Sequence, residues 1–148
     1  MADLTITRVF DAPREAVWNA WTDPKQVSQW WGPRGFTAPV VELDVRPGGE
    51  VRIDMQGTDG TVYPNRGVFH EVSEPDRLVM TLRLVNDEGE SVIEALNTVT
   101  FAEEDGKTRV TVEFELVHVA PEAAEAAAGA KEGWNESFDR LEEYLEAA

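Results

Sequence analysis

The stretch PEAAEAAAGAKEGWNESFDRLEEYLEAA, residues 121–148, decides the fold. Pro121 suits the first turn of a helix, where its missing N–H is harmless. The alanine-rich run before Trp134 is too good a helix former to be a linker. Ala130, Trp134, Phe138, Leu141 and Leu145 step by four, four, three and four, which puts them in one stripe on one side of a helix. A helix from Pro121 to about Leu145 would be about 37 Å long at 1.5 Å per residue. Its other faces carry Glu122, Glu125, Glu132, Glu136, Asp139, Glu142, Glu143 and Glu146 against Lys131 and Arg140, the composition of a solvated surface. A stripe of that length needs an apolar partner equally long.

Upstream, Phe36 to about Val119 reads as strands joined by turns. Val41, Leu43 and Val45 alternate before Pro47-Gly48-Gly49, and Val51, Ile53 and Met55 alternate before Thr58-Asp59-Gly60. Thr61 to Val72 follows, then Leu78 to Leu84, Val92 to Phe101 and Val110 to Leu116, separated by Glu74-Pro75-Asp76, Asn86-Asp87-Glu88-Gly89 and Glu104-Asp105-Gly106. Sequential strands on short turns make an antiparallel meander, and period-two alternation buries one face. Before it, Leu4 to Phe10 is a strand. Asp11-Ala12-Pro13 opens a short helix bearing Val17, Trp18 and Trp21, with Pro13 expected in its first turn, and Thr22-Asp23-Pro24 caps a second that ends at Trp30 or Trp31. One strand, two short helices, six strands and one long helix give an α+β fold: a curved antiparallel sheet wrapped around the C-terminal helix.

The chain has 148 residues, near the usual size of a single domain spanning 1–148, and no cysteine, which removes disulfides, thiolate metal sites and cysteine nucleophiles. With 29 acidic and 13 basic residues the net charge is −16, and phosphate backbones would be repelled, so no nucleic-acid partner is expected. No stretch reaches the ~20 apolar residues of a membrane span, and the first residues lack a signal-peptide pattern. By elimination the expected location is cytoplasmic. His70 and His118 are the only histidines and have no metal-binding spacing, so neither metal nor cofactor is expected.

Several motifs together resemble a known family. Arg8-x-Phe10-Asp11-Ala12-Pro13, Val17-Trp18-x-Ala20-Trp21-Thr22-Asp23-Pro24, Trp30-Trp31-Gly32-Pro33 with Gly35-Phe36, Arg46-Pro47-Gly48-Gly49, Tyr63-Pro64-Asn65-Arg66-Gly67, Glu74-Pro75-Asp76-Arg77-Leu78 and Gly133-Trp134-x-x-x-Phe138-x-x-Leu141 look like the activator-of-heat-shock-protein-90-ATPase homologue family, within the START-like (SRPBCC) superfamily. The resemblance implies a helix-grip fold with a cavity between sheet and C-terminal helix. That superfamily includes lipid carriers, hormone receptors, polyketide cyclases and toxin-sequestering proteins, so the fold does not choose the function. Eukaryotic members bind the chaperone mainly through an additional N-terminal domain, which a chain of this length is not expected to hold.

Polar residues in phase with an apolar strand face mark a wet interior. Asn97 shares parity with Ile93, Ala95, Val99 and Phe101; His70 with Val68 and Val72, although Phe69 is its rival; Arg8 with Ile6 and Phe10; His118 with Phe114 and Leu116. Structural explanations compete for each: a strand end for His118, a bulge for His70, an ion pair for Arg8. The expected cavity residues are Trp31, Phe36, Met55, His70, Met80, Leu82, Asn97, Trp134 and Phe138, with Asn97 and His70 orienting a ligand. Trp30 and Trp31 cannot face the same way on a helix, so one is expected at the cavity mouth or exposed. The reading this favours is a non-enzymatic binder of a small apolar or aromatic molecule, as monomer or homodimer. Two alternatives stay open: a metal-free enzyme resembling polyketide cyclases, with His70 as the weak catalytic candidate, and a chaperone-linked interaction module.

Overall fold

In the computed structural model, which describes residues 3–147, β1 (Leu4–Phe10) is followed by α1 (Arg14–Thr22) and α2 (Pro24–Trp30). Six strands come next: β2 (Thr37–Leu43), β3 (Glu50–Gln56), β4 (Val62–Ser73), β5 (Arg77–Val85), β6 (Ser91–Glu104) and β7 (Lys107–Val119). They form one antiparallel sheet in the order β1-β7-β6-β5-β4-β3-β2. The meander and its closure by β1 against β7 (Ile6 opposite Val112) follow the expected α+β plan.

Two helix boundaries differ from the sequence reading. Pro13 is the N-cap of α1 rather than part of its first turn, with an extended backbone and its carbonyl accepting from the N–H groups of Ala16 and Val17. More consequential, the C-terminal helix is broken. Pro121–Ala123 is a 3₁₀ turn, α3 is Ala124–Ala128, and α4 runs over Ala130–Ala147 after Gly129. The stripe explains why: its first mark is Ala130, and residues before it bring no large apolar side chain to hold one continuous rod. The second helix starts as expected, Asp23 accepting a bond from the Lys25 N–H at 3.1 Å with Pro24 at the first helical position.

Strands β3 to β7 each divide their inner face between a solid core and an open space. Val110 and Val112 of β7, Val99 and Phe101 of β6, Leu78 and Met80 of β5, Phe69 of β4 and Val51 and Ile53 of β3 are buried. The core that contains them also holds Trp18, Trp21, Trp30, Phe138 and Leu141 from the helices. Edge-to-face pairs tighten this half, among them Phe10 with Phe138 (centroids 5.5 Å apart) and Trp18 with Phe101 (5.4 Å). The other half of the same strands faces the alanine-rich turn.

Candidate functional site

The floor of the open half is built row by row across the sheet. Asn65, Leu84 and Ile93 form one register row, Leu82 and Ala95 belong to the next, and Asn97 and Phe114 to the third. Met55, Tyr63 and Phe36 close one side, Phe36 meeting Tyr63 at 5.6 Å between ring centroids. Across from the sheet stand Ala126, Ala127, Gly129, Ala130, Gly133, Trp134 and Ser137. Small side chains therefore face small side chains: Ala95 below, and alanine or glycine at five roof positions. Side chains this short cannot fill the separation that Trp134 and Phe114 prop open, and a cavity of about 460 Å³ remains. That lies within the ~300–1,000 Å³ usual for small-molecule sites.

The wall formed by Trp31, Gly32 and Pro33 is held from α4. The Arg140 guanidinium donates to the carbonyls of Gly32 at 2.8 Å, Trp31 at 3.2 Å and Pro33 at 3.3 Å. Burial, with a smaller contribution from Arg34, lowers the Arg140 pKa below the usual arginine range. Arg34 adds a second tether, its N–H donating to Glu136 at 2.9 Å and its guanidinium pairing with Glu143. Gly32 has φ of +100°, and a Cβ there would stand 3.1 Å from the Met55 sulfur, so the wall bends where glycine alone fits without strain. Trp31 leaves the helix as its C-cap and swings to the cavity, while Trp30 is fully buried and donates its indole N–H to the Ala20 carbonyl at 2.9 Å. Neither tryptophan is exposed. Trp134 stacks on Trp21 (6.0 Å, 18°) and meets Trp31 edge-on (5.6 Å), joining the cavity wall to the core.

Asn97 is the polar centre of the site. It is 1% exposed and lines the cavity, with Met80 and Phe114 as its cross-strand neighbours. Its Nδ2 donates to the Ala95 carbonyl at 3.3 Å, and its Oδ1 has no hydrogen-bond partner. A carbonyl only accepts, so the amide nitrogen must be the atom facing Ala95, which fixes the oxygen as the orphan. A buried acceptor without a partner costs about 1–3 kcal/mol. The other polar groups are Ser137, Tyr63 and Asn65, whose Nδ2 donates to the Tyr63 carbonyl at 3.2 Å. Among the described residues no carboxylate, ammonium, guanidinium or imidazole lines the space.

Of the residues expected from sequence, Trp31, Phe36, Met55, Leu82, Asn97 and Trp134 line the cavity and three do not. Met80, opposite Asn97 in the third row, is 4% exposed and Phe138 is fully buried, and both pack within the core. His70 is on the outer face, where its Nε2 meets the Thr81 hydroxyl at 2.6 Å. Phe69 is the inner residue there, and a register shift between Phe69 and Glu71 turns Val72 inward as well, so the parity that His70 shares with Val72 does not carry it to the inner face. Arg8 is engaged structurally, ion-paired to Asp139 at 2.5 Å over the Phe138 ring. His118 is exposed near the end of β7. Sequence reasoning missed the roof, although the run of alanine and glycine from 126 to 133 signalled it by lacking bulk.

With this geometry in place, residues 11–146 match the family described as Activator of Hsp90 ATPase homolog 1-like protein. The chain belongs to that family. Solved structures agree across nearly its whole length. Protein Ms6760 from Mycobacterium smegmatis is 31% identical, with a TM-score of 0.80, covering 95% of this chain and 88% of that one. A protein from Arthrobacter aurescens is 26% identical, with a TM-score of 0.86 over 97% and 86%. The AHSA1 protein from Silicibacter pomeroyi is 25% identical, with a TM-score of 0.82 over 99% of both chains. None of the curated proteins matches the chain. The fold is thus the helix-grip of this Hsp90-activator-like family. Among the described residues no helix is long and apolar enough to cross a membrane, and no three His, Cys, Asp or Glu side chains gather where they could hold a metal ion.

Proposed function

We propose that this member of the Activator of Hsp90 ATPase homolog 1-like family binds a small, largely apolar molecule between its sheet and its C-terminal helices. The observation that carries the reading is the cavity of about 460 Å³, walled by aromatic and aliphatic side chains around a buried amide with an unpartnered acceptor. Apolar walls with few oriented polar groups are the usual constitution of a small-molecule site. Binding is favoured over proton-transfer catalysis because no carboxylate or imidazole of the described residues lines the cavity, and a general acid or base must be positioned at the reacting group.

The test is a fluorescence titration with the neutral dye N-phenyl-1-naphthylamine, repeated on Ala95→Leu. The native protein should bind one equivalent. Ala95 lines the cavity floor, so the larger side chain should occupy open space, leaving stability within about 1 kcal/mol while weakening dye binding about tenfold or more. A native protein that takes up no dye, together with a destabilised Ala95→Leu, would show that the space is closed to ligands.

A further inference from the structure

We propose that the molecule held in this cavity is uncharged and brings a hydroxyl or N–H group to Asn97, which makes Asn97 the residue that selects it. The inference rests on the binding reading above and names the ligand's chemistry. Two independent features of the lining carry it. First, the acceptor is committed by geometry. Asn97 Nδ2 is turned to the Ala95 carbonyl, and the side chains of the cross-strand neighbours Met80 and Phe114 offer Oδ1 no donor. Oδ1 is covered by its neighbours, so the Asn97 amide turns toward the cavity to meet a ligand; a ligand that donates there satisfies an atom that the protein leaves alone, whereas one with only an acceptor or a methyl group at that end does not. Second, no charged side chain of the described residues lines the walls, so an ionised ligand would lose its hydration without gaining a counter-ion. The surface reinforces the exclusion of anions, since the chain carries −16 overall.

Depth sets the orientation. Asn97 and Ser137 are 1% and 6% exposed, while Tyr63 and Asn65 are only half-buried. The donor therefore enters first, and the apolar body lies behind it against Leu82, Trp134 and Phe36.

Calorimetric titration with three matched probes tests this: naphthol, its methyl ether and naphthoate, each against the native protein and Asn97→Leu at neutral pH. Naphthol should bind the native protein about tenfold or more tightly than the ether, the value of one buried hydrogen bond, and naphthoate should bind weakest. In Asn97→Leu the preference for naphthol over the ether should vanish while the ether still binds. Equal affinities of naphthol and ether for the native protein would overturn the assignment to Asn97 and leave the cavity reading standing. Naphthoate binding as tightly as naphthol would overturn the requirement for an uncharged ligand. If no probe binds the native protein, the cavity reading fails and this inference with it. The comparison within the native protein decides even if the variant folds poorly.

Discussion

Arg140 and Gly67 shape the site without lining the cavity. Arg140 gathers three carbonyls of the Trp31-Gly32-Pro33 wall, and no other described side chain donates to them. Its replacement by Met keeps the aliphatic stem and removes the donors. Unfolding by urea should then show a loss of about 1.5–3 kcal/mol, the range for bonds to a charged donor, with weaker dye binding because the wall is untethered. Gly67 acts by absence: a Cβ there would lie 2.0 Å from the Thr81 carbonyl oxygen and 3.0 Å from a Leu82 methyl. Gly67→Ala must push β5 away beside the cavity floor and should cost about 1–3 kcal/mol, measurable in the same denaturation series. Legibility at this scale was uneven. Asn97 could be found because β6 alternates without interruption from Ala95 to Phe101, whereas His70 was misplaced because a bulge leaves no mark in the pattern of apolar residues. Arg140 was legible only as a surface charge, since the carbonyls it binds come from a loop 107 to 109 residues away in sequence.

Among the elements, α3 is the one with least to hold it. None of its five residues is buried, its side chains are alanine apart from Glu125, and it is separated from α4 by Gly129. Such a segment opens locally at low free energy, and it covers the cavity with Ala126 and Ala127. The long helix was legible from Ala130 onward because a four-four-three-four stripe specifies both the helix and the face it buries. The break was not, because alanine favours helix whether or not anything anchors it. Gly129 has φ of −85° and ψ of 3°, conformations open to alanine, and a Cβ would meet nothing closer than the Ala126 carbonyl at 3.6 Å. Gly129→Ala should therefore stabilise the protein by about 0.4–1 kcal/mol by restricting the unfolded chain. If α3 is the segment that moves to admit the ligand, the same change should slow dye association and release in stopped-flow measurements with little change in their ratio. Unchanged rates would place the route elsewhere, at the Phe36–Tyr63 side.

For the whole molecule the decisive quantity is the charge imbalance between surface and cavity. Ion pairs engage most of the arginines, including Arg8–Asp139, Arg14–Asp76, Arg66–Asp54 and Arg109–Glu104. Exposed pairs are each worth about 0–1 kcal/mol, and sixteen negative charges remain in excess. At about 0.01 M salt the screening length is about 30 Å, long enough for those carboxylates to repel one another across the fold. At about 1 M it is about 3 Å, and the repulsion is removed while contact-distance pairs lose less. Thermal unfolding should accordingly shift upward as sodium chloride is raised, because relief of the excess outweighs the weakening of a few exposed pairs. A downward shift would mean that the pairs dominate the balance. Ligand binding should not follow. Among the described residues the cavity lining carries no charged side chain, and the ligand inferred for it is uncharged, so its affinity for naphthol should change less than about twofold over the same range. A tenfold dependence would place the probe on the charged exterior. Salt thus separates what keeps this chain folded from what its cavity recognises: the melting temperature should move and the dissociation constant should stay.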